Sequence, residues 1–271
     1  MTPLLELRGL TRRYAGLVAV DGVDMQVTPG GVHAVIGPNG AGKTTLFNLV
    51  SGLVPPSAGR IRFAGQDVTG LAADRRSALG LARTFQNIRV FAAMTVLENV
   101  LTGLHARLAV GLPGVVLRLP RFRAEERRAV ARARAALDLV GLADKAGQRA
   151  QALSYGDQRR LEIARAMAPE PRLILLDEPA AGMNPAETEA LAALVRRLGG
   201  FGATVLLVEH DMGFVMDISD TVTVLNFGKR IYEGTPQAVR QEPAVIEAYL
   251  GHKVAARLAA GGAKAGVRGA G

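Results

Sequence analysis

Hydrophobic positions along this chain fall into short dense runs separated by stretches with a longer rhythm. Val32–Ile36, residues 173–176, Thr204–Val208 and residues 222–225 are each four or five almost unbroken apolar positions. Runs this short, rich in Val, Ile and Leu and without alternation, predict strands buried on both faces, as in a parallel sheet. Residues 4–7 and 18–27 predict two more strands. Residues 60–63 predict another, closed by Ala64-Gly65. Gly228 marks a hairpin turn between residues 222–225 and Ile231-Tyr232. From Thr95 to Leu153 the rhythm changes. Ala, Leu and Arg recur there at helical spacing, and Leu137, Val140 and Leu142 close one helix near Gly141. Strands alternating with helical patterns predict a parallel α/β core, and the 95–153 section reads as a helical insertion. No internal repeat is present.

One of the buried runs delivers a distinctive loop. Val32–Ile36 leads into Gly37, Pro38, Asn39, Gly40, Ala41, Gly42, Lys43, Thr44 and Thr45, after which a helical pattern opens. The spacing is G-x-x-x-x-G-K-[ST]. Glycines let the backbone curl until several N–H groups face one point, and the following helix N-terminus favours an anion. Lys43 can reach the β- and γ-phosphates of a nucleoside triphosphate, and the Thr44 hydroxyl can bind Mg²⁺.

A second buried run ends on two acids, Asp177 and Glu178. A strand that delivers a carboxylate to its C-terminal edge places it beside a phosphate loop of the same parallel sheet. Asp177 would hold Mg²⁺, directly or through water, and Glu178 would polarise the water that attacks the γ-phosphate. Leu153-Ser154-Tyr155-Gly156-Asp157-Gln158 opens another helix. Ser154 is a good N-cap, and the glycine-bearing entry is a second candidate anion site.

Composition narrows the classes. No cysteine occurs among 271 residues, which excludes disulfides, zinc–thiolate sites and a thiol nucleophile. No basic-then-apolar segment opens the chain, so no secretion signal is expected. No run approaches the ~18 apolar residues of a spanning helix. The densest candidate, residues 108–119, is broken by Pro113, Gly114 and Arg118. A link to a membrane would therefore run through a partner. The net charge of +9 includes the basic residues 252–271, an Ala/Gly/Lys/Arg tail without apolar period that reads as disordered. A second basic cluster runs from Arg118 to Arg134. Aromatics are 4% and Trp is absent, which leaves few stacking platforms for single-stranded nucleic acid, so a solvated basic surface is the expectation and no nucleic acid is.

Six motifs in one order carry a family resemblance. Tyr14 precedes the phosphate loop at 37–45. Gln86 follows in Arg83-Thr84-Phe85-Gln86-Asn87, then LSYGDQ at 153–158, then Asp177-Glu178, then His210 in Val208-Glu209-His210-Asp211. The series resembles the ABC-transporter ATPases, with LSYGDQ in place of their LSGGQ signature, over residues 4 to 250. The resemblance implies a P-loop NTPase (RecA-like) parallel core with an antiparallel β subdomain and an inserted α-helical subdomain at about 88–154, all within residues 1–251. It implies that Tyr14 stacks on adenine, that Gln86 touches Mg²⁺ or the attacking water and senses a membrane partner, and that His210 contacts the γ-phosphate and orients Glu178. It implies that Ser154 and Gly156 close over the ATP of a second subunit. Asn184 stands where the family's D-loop often ends in Asp, and Tyr155 and Asp157 also depart from LSGGQ.

The wording of residues 83–86, 155–164, 177–185 and 209–212, and of Tyr249-Leu250-Gly251, is similar to the ATP-binding subunits of branched-chain amino-acid importers. Such subunits tend to be longer than other ABC ATPases around residues 108–122. This likeness implies ATP and Mg²⁺ as ligands and a second ABC ATPase subunit, identical or different, as partner. It also implies membrane permease subunits, an extracytoplasmic solute-binding protein reached indirectly, and a place on the cytoplasmic face of the membrane. Another cargo (urea, lipid or lipopolysaccharide) and a soluble ABC ATPase of DNA or ribosome remain open alternatives.

Overall fold

Two kinds of strand make two kinds of sheet. In the computed structural model, which describes residues 2–104 and 120–250, β1 (Leu5–Tyr14), β2 (Leu17–Val27), β4 (Ala58–Phe63) and β5 (Gln66–Asp67) form a four-stranded antiparallel sheet in the order β2-β1-β4-β5. Their buried and exposed residues are interleaved, as expected when one face is solvated. The second sheet holds β3 (Val32–Ile36), β6 (Leu81–Arg83), β7 (Leu173–Asp177), β8 (Thr204–Val208), β9 (Thr221–Asn226) and β10 (Lys229–Gly234). Its order is β10-β9-β3-β8-β7-β6. Every pair is parallel except the β9–β10 hairpin. All residues of β3, β7 and β8 are buried. That is why their sequences read as unbroken apolar runs.

β1 is more than twice as long as residues 4–7 suggest. Apolar continuity ends at Arg8, but β1 is bonded on both sides, to β2 and to β4, and so stays extended through a bulged, polar second half. Backbone ladders, with Leu10 and Thr11 as the buried side chains there, carry the strand. The hairpin at Gly228 is as expected: Phe227 and Gly228 both have positive φ, 46° and 79°, the conformation of a tight two-residue turn.

Helices cover the parallel sheet. α1 (Lys43–Ser51) buries Leu46, Phe47, Leu49 and Val50, each stabilising by about 1.5–3 kcal/mol. α2 (Ala73–Ala78) precedes the edge strand β6. Three helices form the inserted layer: α3 (Val96–Thr102), α4 (Pro120–Leu139) and α5 (Tyr155–Met167). α3 starts on a capping box between Thr95 and Glu98. Val96, Val100, Ala133, Leu137, Leu161 and Ala164 join one core that continues into the underside of the sheet. α6 (Pro185–Gly200), α7 (Met212–Ile218), α8 (Pro236–Gln241) and α9 (Pro243–Leu250) complete the chain. The tail at 252–271 and the long stretch from 108 up to residue 119 lie outside the described residues. Among the described residues no helix is long and apolar enough to cross a membrane.

Candidate functional site

The parallel topology gathers the expected residues at one edge. β3, β7 and β8 run side by side in register, so the residues at and just beyond their C-terminal ends emerge together. These are the loop at 37–45, Asp177 with Glu178, and Glu209 with His210.

The loop from β3 to α1 is shaped by what cannot be added to it. A Cβ on Gly37 would lie 2.2 Å from the Leu225 carbonyl oxygen, and one on Gly42 would lie 2.3 Å from that of Ala19. Gly42 has φ 100° and is the N-cap of α1, with no side chain bonding the first-turn N–H groups and no acid in that turn. Those donors remain for an external anion. Lys43 is buried and its Nζ donates to the carbonyls of Gly37 (2.6 Å) and Pro38 (3.0 Å). Burial lowers its pKa, and the nearby Glu178 carboxylate opposes that shift. Thr44 is exposed, so its hydroxyl is open to a ligand.

The acids differ in setting. Asp177 is buried and bonded to Arg83, whose Nη2 donates to Oδ2 at 2.9 Å. Arg83 Nη1 also donates to Asn48 Oδ1 and Ser51 Oγ, both at 2.8 Å, and so ties β7 to α1. Glu178 has φ 44°, a left-handed conformation uncommon outside glycine, and its N–H donates to the Val208 carbonyl. The turn aims its carboxylate toward two residues from elsewhere in the chain. Gln86 Nε2 donates to Glu178 Oε2 at 2.9 Å, and His210 Nδ1 lies 3.7 Å from the same oxygen. The structure thus unites Gln86, Glu178 and His210, and the charge interaction of Lys43 with Glu178 joins the phosphate loop to them.

The other expected residues stand apart from this group. Tyr14 ends β1, 40% exposed, with the Arg12 guanidinium 4.5 Å above its ring. Ser154 is the N-cap of α5, and its side chain accepts from the Asp157 N–H. Gly156 is packed so that a Cβ would sit 2.8 Å from Glu187 Oε1. Tyr155 donates its hydroxyl to the Ala181 carbonyl at 3.0 Å. Asn184 caps α6 through a capping box with Glu187.

Sequence reasoning missed three site residues. Arg83 was visible only as a neighbour of Gln86. Arg159, fully buried, donates to the Phe85 carbonyl (2.8 Å) and the Gln86 carbonyl (2.7 Å). Glu209, also fully buried, accepts from the N–H groups of Ala180 (2.8 Å) and His210 (3.0 Å). Burial raises its pKa, against those backbone bonds. A charged residue beside a functional motif was the one available signal for each.

Residues 20–181 match the family model described as ABC transporter. The chain belongs to the ABC transporter ATPases. Residues 229–255 match a second model, described as branched-chain amino acid ATP-binding cassette transporter. The chain is 47% identical over 250 residues to the high-affinity branched-chain amino acid transport ATP-binding protein BraF of Pseudomonas aeruginosa, covering 92% of this chain and 98% of that one. It is 46% identical, with the same coverage, to LivG of Escherichia coli strain K12, which carries the same description. In structure it resembles the ADP conformation of an ATP-binding cassette of an ABC transporter. That likeness has a TM-score of 0.81 and 30% identity, and covers 93% of this chain and all of the other. As an ABC transporter ATPase the protein binds nucleotide and hydrolyses ATP, and its partners are membrane permease subunits.

Proposed function

We propose that this chain is the ATP-hydrolysing subunit of an importer for branched-chain or similar hydrophobic amino acids, held at the cytoplasmic face of the membrane by its permeases. The observation that carries the chemistry is the meeting of Gln86 and His210 on Glu178, beside a loop whose first-turn N–H groups have no side-chain cap. The cargo rests on the likeness to BraF and LivG.

ATP would lie with its phosphates in the 37–45 loop. Backbone N–H groups and Lys43 would neutralise phosphoryl charge, and Tyr14 would face the adenine. Lys43 would exchange its two carbonyl bonds for phosphate oxygens. Mg²⁺ fits this edge, because it needs only a few protein oxygens beside those of the phosphates. The exposed Thr44 hydroxyl, Asp177 and Gln86 would supply them, and the metal would offset charge on the phosphates. Glu178 would take a proton from water as its oxygen attacks the γ-phosphorus and the bond to the β–γ bridging oxygen breaks. Gln86 and His210 would orient that carboxylate.

Ser154 and Gly156 open α5, apart from the group of Gln86, Glu178 and His210, with Ser154 capping its own helix at the Asp157 N–H. They would complete the pocket of a second ABC ATPase, identical or related. A solute-binding protein would present the amino acid to the permeases from the far side.

Glu178→Gln is the direct test. It should bind ATP with near-normal affinity and lose hydrolysis by on the order of 100-fold or more. Leucine uptake in cells that rely on this transporter should stop with it. Retained hydrolysis would refute the assigned base. Lost hydrolysis with unchanged leucine uptake would refute the cargo alone.

A further inference from the structure

Helix α5 turns a charged face inward. Arg159, Glu162 and Arg165 recur at i, i+3 and i+6, and the first two are 0% and 1% exposed. Arg159 Nη1 lies 3.0 Å from Glu162 Oε2, and Arg165 Nη2 lies 3.7 Å from Glu162 Oε1. Burial pushes the Glu162 carboxyl up. The two arginines and the N–H groups of Arg89 and Phe85 act in the opposite direction. A buried ladder of this kind contributes less stability than apolar packing of the same volume, so its presence points to fixing a position.

The position fixed is that of one loop. Arg159 Nη1 donates to the Phe85 carbonyl, Arg159 Nη2 to the Gln86 carbonyl and Arg165 Nη1 to the Arg89 carbonyl. Both polarities of the peptide groups in residues 85–89 therefore face the ladder. Gln86 in turn reaches Glu178. Two nitrogens of a rigid, planar guanidinium on two successive carbonyls set both the place and the tilt of that backbone. A lysine, with one mobile ammonium, cannot do the same.

We propose that Arg159 is a positioning residue for hydrolysis: the helix carrying Ser154 and Gly156 holds the Gln86 backbone through it, so that the stance of α5 sets the Gln86–Glu178 contact. The coupling is mechanical. When α5 shifts as a second subunit closes on Ser154 and Gly156, the Gln86 amide moves with it. This inference rests on the assignment of Glu178 and Gln86 to the hydrolytic step.

The test uses the full-length protein. Arg159→Lys keeps the charge opposite Glu162 but loses the two-carbonyl grip. The pair Arg159→Met with Glu162→Met removes the two fully buried charges together, which guards against simple misfolding. It leaves only Arg165, which is partly exposed and keeps its bond to the Arg89 carbonyl, without its ion-pair partner. Each should lower kcat on the order of 10- to 100-fold, with KM and the affinity for a fluorescent ATP analogue within about twofold of wild type. Gln86→Ala should add little to Arg159→Lys, because the two act through one contact. Wild-type kcat in either Arg159 variant would overturn the proposal. So would fully additive losses, or a drop in kcat explained by a matching loss of folded protein. Glu178→Gln run in parallel separates the two ideas, since full turnover in that variant would remove the hydrolytic assignment itself.

Discussion

Helices α1 and α5 both open on glycine-bearing loops that suit an anion, yet the chain builds them oppositely. α1 has a glycine N-cap, no side-chain cap, no acid in its first turn and an apolar buried face. α5 has its N-cap filled by Ser154, an acid at Asp157 in the first turn, and buried Arg159 and Glu162. Asp157 is balanced by Lys145 and Arg160. The α1 end therefore suits a phosphate by itself: no side chain caps its first-turn donors and no acid stands in that turn. The α5 end has satisfied its own first donors and is tied by charge to the loop carrying Gln86. On the proposed reading, one helix binds and the other reports.

The largest effect expected from this contrast separates two glycines. Gly42→Ala forces a Cβ to within 2.3 Å of a backbone oxygen at φ 100°. It should cost about 2 kcal/mol or more of stability. It should also weaken ATP binding by on the order of 100-fold, through loss of charge-assisted N–H bonds. At Gly156 the obstacle is the end of the Glu187 side chain, which can move. Gly156→Ala should leave ATP affinity of the isolated chain unchanged and impair only turnover. Equal losses of affinity, read by titration with a fluorescent nucleotide, would break the comparison.

A second expectation concerns charge tolerance. His33 lies on β3, directly before the phosphate loop, and is 4% exposed. Its Nε2 is 2.7 Å from Thr223 Oγ1, and that hydroxyl donates to Glu233 at 2.8 Å. With the hydroxyl proton committed, His33 is the donor and stays neutral. Burial lowers its pKa from 6.5 to about 4, against the pull of Glu233. The unfolded chain therefore takes the proton first. Stability should be full above about pH 6.5 and fall by roughly 3 kcal/mol as pH drops to about 4. His33→Gln should flatten that slope in urea unfolding followed across the range. An unchanged slope would mean that some other group sets it.

The smallest expectation sharpens the cap difference. Ser154→Ala removes an N-cap bond and should cost about 1 kcal/mol, a fall in Tm of roughly 2–4 °C. ATP affinity of the single chain should not change. A marked loss of affinity would place Ser154 in the same chain's pocket.

The legibility of these parts in the sequence follows their range. The phosphate loop, the Ser154 cap, the Gly228 hairpin and the buried strands were readable because each is decided by neighbours a few residues away. β1 beyond Arg8 was not, because its extension comes from ladders to β2 and β4. Gln86 and His210 could be named from their order in the series, but not their convergence on one oxygen of Glu178.

What the sequence by itself determined is the phosphate cradle, the acids at the end of β7 and the family they belong to, since adjacent residues with fixed backbone demands specify them. What only the tertiary structure decided is how those parts are wired. Arg83 to Asp177, Arg159 to residues 85 and 86, and Glu209 to Ala180 each join residues 29 to 94 positions apart. Buried charges satisfy themselves wherever the fold brings a partner, and hydrophobic periodicity carries no record of that choice.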